Sequence, residues 1–117
     1  MKLQNYKELI VWQKSIKLVT EVYKITRQFP VEEKFGLCSQ MQRASVAIPS
    51  NIAEGATRNN TKEFIQFLGI AYGSSAEIET QIIIAKNLYA SIDYSIAESF
   101  IIEIQKMINA LINRLRV

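Results

Sequence analysis

Histidine is absent from this chain of 117 residues. That removes the commonest general base, the usual partner of a serine or cysteine nucleophile, and the commonest transition-metal ligand. Enzymatic chemistry is therefore not expected, and neither is a metal site or any other cofactor. Cysteine occurs once, at Cys38. It has no partner for an internal disulfide, and its apolar helical neighbours imply a buried, reduced thiol and a cytoplasmic protein. The four glycines, Gly36, Gly55, Gly69 and Gly73, do not cluster before a helix, so no phosphate-cradling loop is present. Long apolar runs are missing too. The longest uncharged stretch, Phe64 to Ala76, falls well short of the roughly 20 residues that span a bilayer, and no signal core precedes it. No membrane association is expected.

What remains is apolar periodicity of three and four residues, the signature of helices, in four successive segments of one domain covering residues 1–117. The first carries Leu9, Trp12, Ile16, Val19, Tyr23 and Thr26 as a stripe. Asn5 and Glu8 form a candidate capping box before it, and Phe29-Pro30 ends it. The second aligns Cys38, Met41, Ser45, Ile48, Ile52 and Gly55, and keeps that register through Pro49. An interior proline costs about 3 kcal/mol, so the pattern predicts a kinked helix rather than a broken one. Gly55 either caps this helix or admits a close neighbour.

Asn60 and Glu63 open the third and longest helix, whose stripe is Phe64, Leu68, Ala71, Ser75, Ile78, Ile82, Ala85 and Tyr89. The fourth starts at Asp93, or at Ser95 with Glu98, and carries Ile101, Ile104, Ile108, Leu111 and Leu115. Short links favour antiparallel neighbours. The expected fold is all-α, an antiparallel up-down-up-down four-helix bundle. Ile10, Leu18, Ile70, Ile83, Ile84 and Ile102 lie off these stripes, and helices apolar on two sides commonly bury the second in an oligomer. The small residues Gly73-Ser-Ser-Ala76 would admit another helix closely, within the bundle or across subunits.

Charge is uneven. Residues 1–62 hold ten Lys/Arg and five Asp/Glu, whereas residues 63–117 hold four and six, so the first half is +5 and the second −2. Arg43, Glu54 and Arg58 fall on one side of the second helix. One reading is a ladder of structural ion pairs among Arg43, Glu54, Arg58 and Glu77. The other makes Arg43, Arg58 and Lys62 phosphate contacts, joined by Lys14 and Lys17, because guanidinium forks match phosphate oxygens. A carboxylate acid/base pair among Glu54, Glu77 and Glu79 would need opposed environments that spacing alone does not supply. A Glu-x-x-His di-iron site has no histidine to build from.

The residues Leu9-Ile-Val-Trp-Gln13, Phe35-Gly-Leu, Gln42-Arg-Ala, Ile48-Pro-Ser-Asn-Ile-Ala-Glu-Gly55, Glu63-Phe-Ile-Gln-Phe-Leu-Gly-Ile-Ala71 and Gly73-Ser-x-x-Glu77 resemble a known family along nearly the whole chain. It is that of the small bacterial four-helix-bundle proteins encoded within intervening sequences of large-subunit (23S) ribosomal RNA genes. The resemblance implies a subunit that assembles into a homopentameric ring, with no catalytic residues. A related branch serves as the accessory protein of diversity-generating retroelements, where a basic barrel engages a reverse transcriptase and nucleic acid. The modest charge of this chain departs from that branch. The functional expectation is a non-enzymatic oligomer that binds structured RNA, DNA or an RNA-processing protein partner. The competing expectation is a protein-interaction scaffold that binds no nucleic acid.

Overall fold

The computed structural model describes residues 5–116. Four helices follow one another: α1 (Ile10–Thr26), α2 (Leu37–Thr57), α3 (Thr61–Leu88) and α4 (Ser95–Leu115), with 3₁₀ turns at Tyr6–Glu8 and Val31–Glu33. Among the described residues there is no strand. Each helix packs on two others, α1 on α2 and α4, α3 on α2 and α4, which closes a four-helix bundle of about 45 × 22 × 20 Å. The three residues between α2 and α3 leave no room for anything but an antiparallel turn.

The core follows the expected stripes in three helices. Met41, Ile48 and Ile52 of α2, Leu68, Ile78 and Ile82 of α3, and Ile101, Ile104 and Ile108 of α4 are fully or almost fully buried. Helix α2 runs uninterrupted through Pro49, which is itself buried. Burial of each such side chain stabilises the fold by about 1.5–3 kcal/mol, enough for a few of them to offset the hydrogen bond that Pro49 cannot donate.

In α1 the expectation fails. The buried face is Val11, Ser15, Leu18, Val22 and Ile25, with Thr26, whereas Ile16 and Tyr23 are exposed and Trp12 is half-buried. Leu18, expected on a second face, lies at the centre with no exposure. Two adjacent flanks of α1 are apolar, and Ser15 masks the true one by placing a hydroxyl in the middle of it. That hydroxyl is satisfied within its own helix, donating to the Val11 carbonyl at 2.7 Å, so its burial leaves no unmet polar group. Trp12 stays at the boundary, edge-on to Tyr6 with ring centroids 5.6 Å apart.

The caps also sort differently. Asn60 caps α3 as expected, its Oδ1 accepting from the Glu63 N–H at 3.0 Å. Asn5 instead caps the 3₁₀ turn through the Lys7 N–H, and α1 begins only at Ile10 with Leu9 as an uncapped start. Asp93 accepts from both the backbone N–H and the hydroxyl of Ser95 at the head of α4, and these bonds hold its carboxyl below the usual carboxylate range. Opposite the α2–α3 turn, the Tyr89 hydroxyl donates to Glu33 at 2.5 Å and ties the α1–α2 connection to the end of α3. That bond to a carboxylate pushes the phenol up to about 12. Cys38 is half-buried rather than buried. Its thiol donates to the Thr26 carbonyl at 3.4 Å, and desolvation and the nearby Glu33 push it up, away from a reactive thiolate.

Candidate nucleic-acid interface

The antiparallel order decides where charge collects. Starts of α1 and α3 share one end of the bundle with the finishes of α2 and α4. Cross-helix bonds fix that register: Lys14 to Glu103 at 2.9 Å joins α1 to α4, and Gln105 to Ser75 at 3.2 Å joins α4 to α3. The half of the bundle containing the α2–α3 turn carries Lys7, Lys14, Lys17, Arg58, Lys62, Lys106, Arg114 and Arg116 against Glu8, Glu54, Glu63 and Glu103. In the other half acidic side chains predominate, with Glu32, Glu33, Asp93 and Glu98 around the remote connections. The bundle is thus electrically polar along its axis.

Arg58 sits where α2 ends, exposed, its Nη2 3.0 Å from Glu54 and its guanidinium carbon 5.1 Å from the Phe67 ring centroid. The aromatic face and the carboxylate hold the fork outward at the turn. Two exposed groups at i,i+4 contribute only about 0.3–0.5 kcal/mol, so the pair orients Arg58 more than it stabilises the helix. Lys62, in the first turn of α3, is exposed and in no ion pair among the described residues. Backbone N–H groups at that helix start add a partial positive charge beside it. Lys14 is committed to Glu103 and stands 5.7 Å over the Phe100 ring, whereas Lys17 is exposed and unpaired among the described residues.

Arg43 lies elsewhere, in the opposite half of the bundle. It lines a groove of about 390 Å³ between α2 and α3 with Gln40, Ala44, Ala47, Glu77 and Gln81. Arg43 and Glu77 are both exposed and neither forms an ion pair among the described residues, so the expected four-residue ladder reduces to the Glu54–Arg58 rung. Gln81 is 7% exposed, and its Oε1 is buried without a hydrogen-bond partner among the described residues. An acceptor left in that condition costs about 1–3 kcal/mol.

Arg114 and Arg116 were not among the candidate contacts, although the up-down-up-down order brings the end of α4 to the end that holds Arg58 and Lys62. That order, combined with the basic finish of the chain, was the available signal. Among the described residues no helix is long and apolar enough to cross a membrane, and among those same residues no group of three or more His, Cys, Asp or Glu is placed to hold a metal ion.

Four apolar-cored antiparallel helices with a basic end and outward isoleucines define a small helical-bundle protein. Residues 7–110 match the family of the 23S rRNA-intervening sequence proteins, and the chain belongs to that family. Its fold is shared by a crystal structure of a protein of unknown function from the S23 ribosomal protein family of Bacteroides thetaiotaomicron VPI-5482. The TM-score is 0.80 at 23% identity, over 88% of this chain and 98% of that one. Among curated proteins none matches.

Proposed function

We propose that this protein is a non-enzymatic, cytoplasmic RNA-binding oligomer, meeting structured RNA through the basic end of the bundle. The observation that carries the reading is the gathering of Arg58, Lys62, Arg114 and Arg116 at one end, beside the start of α3. Such contacts go to phosphates, so binding is weakly sequence-specific and falls steeply with salt. Membership in a family tied to 23S rRNA intervening sequences supports RNA over other polyanions.

Assembly into a homo-oligomer, five copies on the earlier resemblance, belongs to the same proposal. Ile70, Ile84 and Leu88 of α3 and Ile102 of α4 are 52%, 45%, 59% and 51% exposed, an apolar load that one subunit leaves in water. Repeating the basic end around a closed assembly turns a weak contact into useful avidity.

Filter retention of a structured RNA over a salt series tests the reading. Arg58→Glu with Lys62→Glu is expected to lower retention at least tenfold and flatten the salt dependence. Unchanged retention refutes it. The second reading, an interaction scaffold with no nucleic-acid role, is favoured by the same outward isoleucines, and predicts partner capture that survives high salt.

A further inference from the structure

The basic end of the bundle carries aromatic rings directly beneath its cations. Arg58 lies over Phe67, its guanidinium carbon 5.1 Å from the ring centroid, and Glu54 holds the same group at 3.0 Å. Lys7 stands 6.0 Å from the centroid of Tyr6, which meets Trp12 edge-on at 5.6 Å and 70°. The register of α1 against α2 brings these clusters to one end. It is fixed at the other, where the Cys38 thiol and the Gln42 amide both donate to Thr26. From that pairing the two helices run antiparallel, so Trp12 and the Tyr6–Glu8 turn reach the last turns of α2, and the turn packs on α2. Tyr6, Trp12 and Phe67 are all half-buried and keep ring surface in water. Tyr6 and Phe67 are not packed on the core cluster.

The acidic end uses its rings internally. Phe29 and Tyr89 lie 5.1 Å apart, Tyr89 donates to Glu33, and the buried Tyr94 donates to the Ala85 and Tyr89 carbonyls. Phe35 is bare there, 89% exposed with Lys34 5.5 Å from its centroid, but it follows Glu32 and Glu33 in the chain. Cation-covered rings in a positive field therefore belong to the end that holds Arg58 and Lys62.

We propose that this end takes single-stranded RNA, the unpaired loops and ends of a structured RNA, by stacking bases on the Arg58–Phe67 and Tyr6–Trp12 pairs. The inference rests on the RNA-binding reading above and names the form of RNA. Bases stack on aromatic faces and on guanidinium planes only when they are free of a duplex, where each face is already covered by its neighbours. Arg58 suits this role because the ring beneath it and the carboxylate beside it already restrict its fork, so less freedom is lost on binding. Glu54 also offsets part of its charge, which favours a flat base over a phosphate. Phosphates fall to Lys7 and Lys62, neither of which is in an ion pair among the described residues.

Trp12 is the sole tryptophan of the chain, so its fluorescence reports from the site itself. Titration of the full chain compares a short oligoadenylate, its duplex with oligouridylate, and an abasic ribose-phosphate strand of the same length. The single strand is expected to bind at least about fivefold tighter than either of the others, the lower bound for one stacked base, and it alone quenches Trp12. Phe67→Leu and Tyr6→Leu keep apolar bulk and charge, and are expected to erase that preference while leaving the salt dependence as it was. Phe35→Ala, which removes a Lys-covered ring from the acidic end, is expected to change nothing. Equal binding of all three ligands with unaltered Trp12 emission overturns this inference and leaves the RNA-binding reading standing. A preference abolished by Phe35→Ala but not by Phe67→Leu or Tyr6→Leu overturns it as well. Binding of none of the three removes the RNA-binding reading, and this inference with it.

Discussion

The inner and outer flanks of the α2–α3 pair are built from similar residues used in opposite ways. Inside, Gly55 sits so close to α3 that a Cβ there would stand 2.6 Å from Phe67 Cβ and 3.3 Å from the Phe64 carbonyl oxygen. Outside, Gly69 and Gly73 face open space, with nothing within 4 Å of a Cβ added at either. Isoleucine divides the same way: Ile78 and Ile82 are buried, Ile83 and Ile84 exposed. The inner flank is fixed by steric fit, and the outer flank has the composition of a core without its partner.

Three substitutions break or sharpen that contrast. Ile78→Ala on the inner flank is expected to cost about 2–5 kcal/mol, the range for emptying a buried aliphatic site, read as a lowered urea midpoint. A cost near zero would mean the core collapses around the gap. Gly55→Ala is expected to cost about 1–3 kcal/mol through overpacking, reversing the gain that Ala normally brings to a helix interior. Thermal unfolding with a higher midpoint than the parent would show that α2 and α3 can part without penalty. Gly73→Ala, on the outer flank, is expected to raise stability by about 0.5–1 kcal/mol in dilute protein. A loss that grows with protein concentration would place Gly73 against a sister copy.

Much of this was legible because burial follows period. The stripes of α2, α3 and α4, the continuity of α2 through Pro49 and the Asn60 cap all come from local spacing and capping chemistry. The face of α1 was not legible. Two adjacent apolar flanks compete there, and the winning one contains Ser15, whose hydroxyl pairs inside its own helix and so reads as polar only on paper. The candidate site divided similarly. Arg58 and Lys62 are near neighbours in sequence and remain so in space, whereas the company of Arg114 and Arg116 depends on how the helices run. The separation of Arg43 from Arg58 follows the length of α2, about 1.5 Å per residue, which carries the two to opposite halves of the bundle.

Alone, the sequence determined the number of helices, most of their inward faces and the family, because each depends on residues within a few turns of one another. Tertiary packing decided which flank of α1 is inward, that Gly55 is a contact rather than a cap, and that Gln81 is buried without a donor beside an unpaired arginine and glutamate. Those outcomes depend on what a neighbouring helix brings within a few ångströms, and no period along a single strand of chain encodes that.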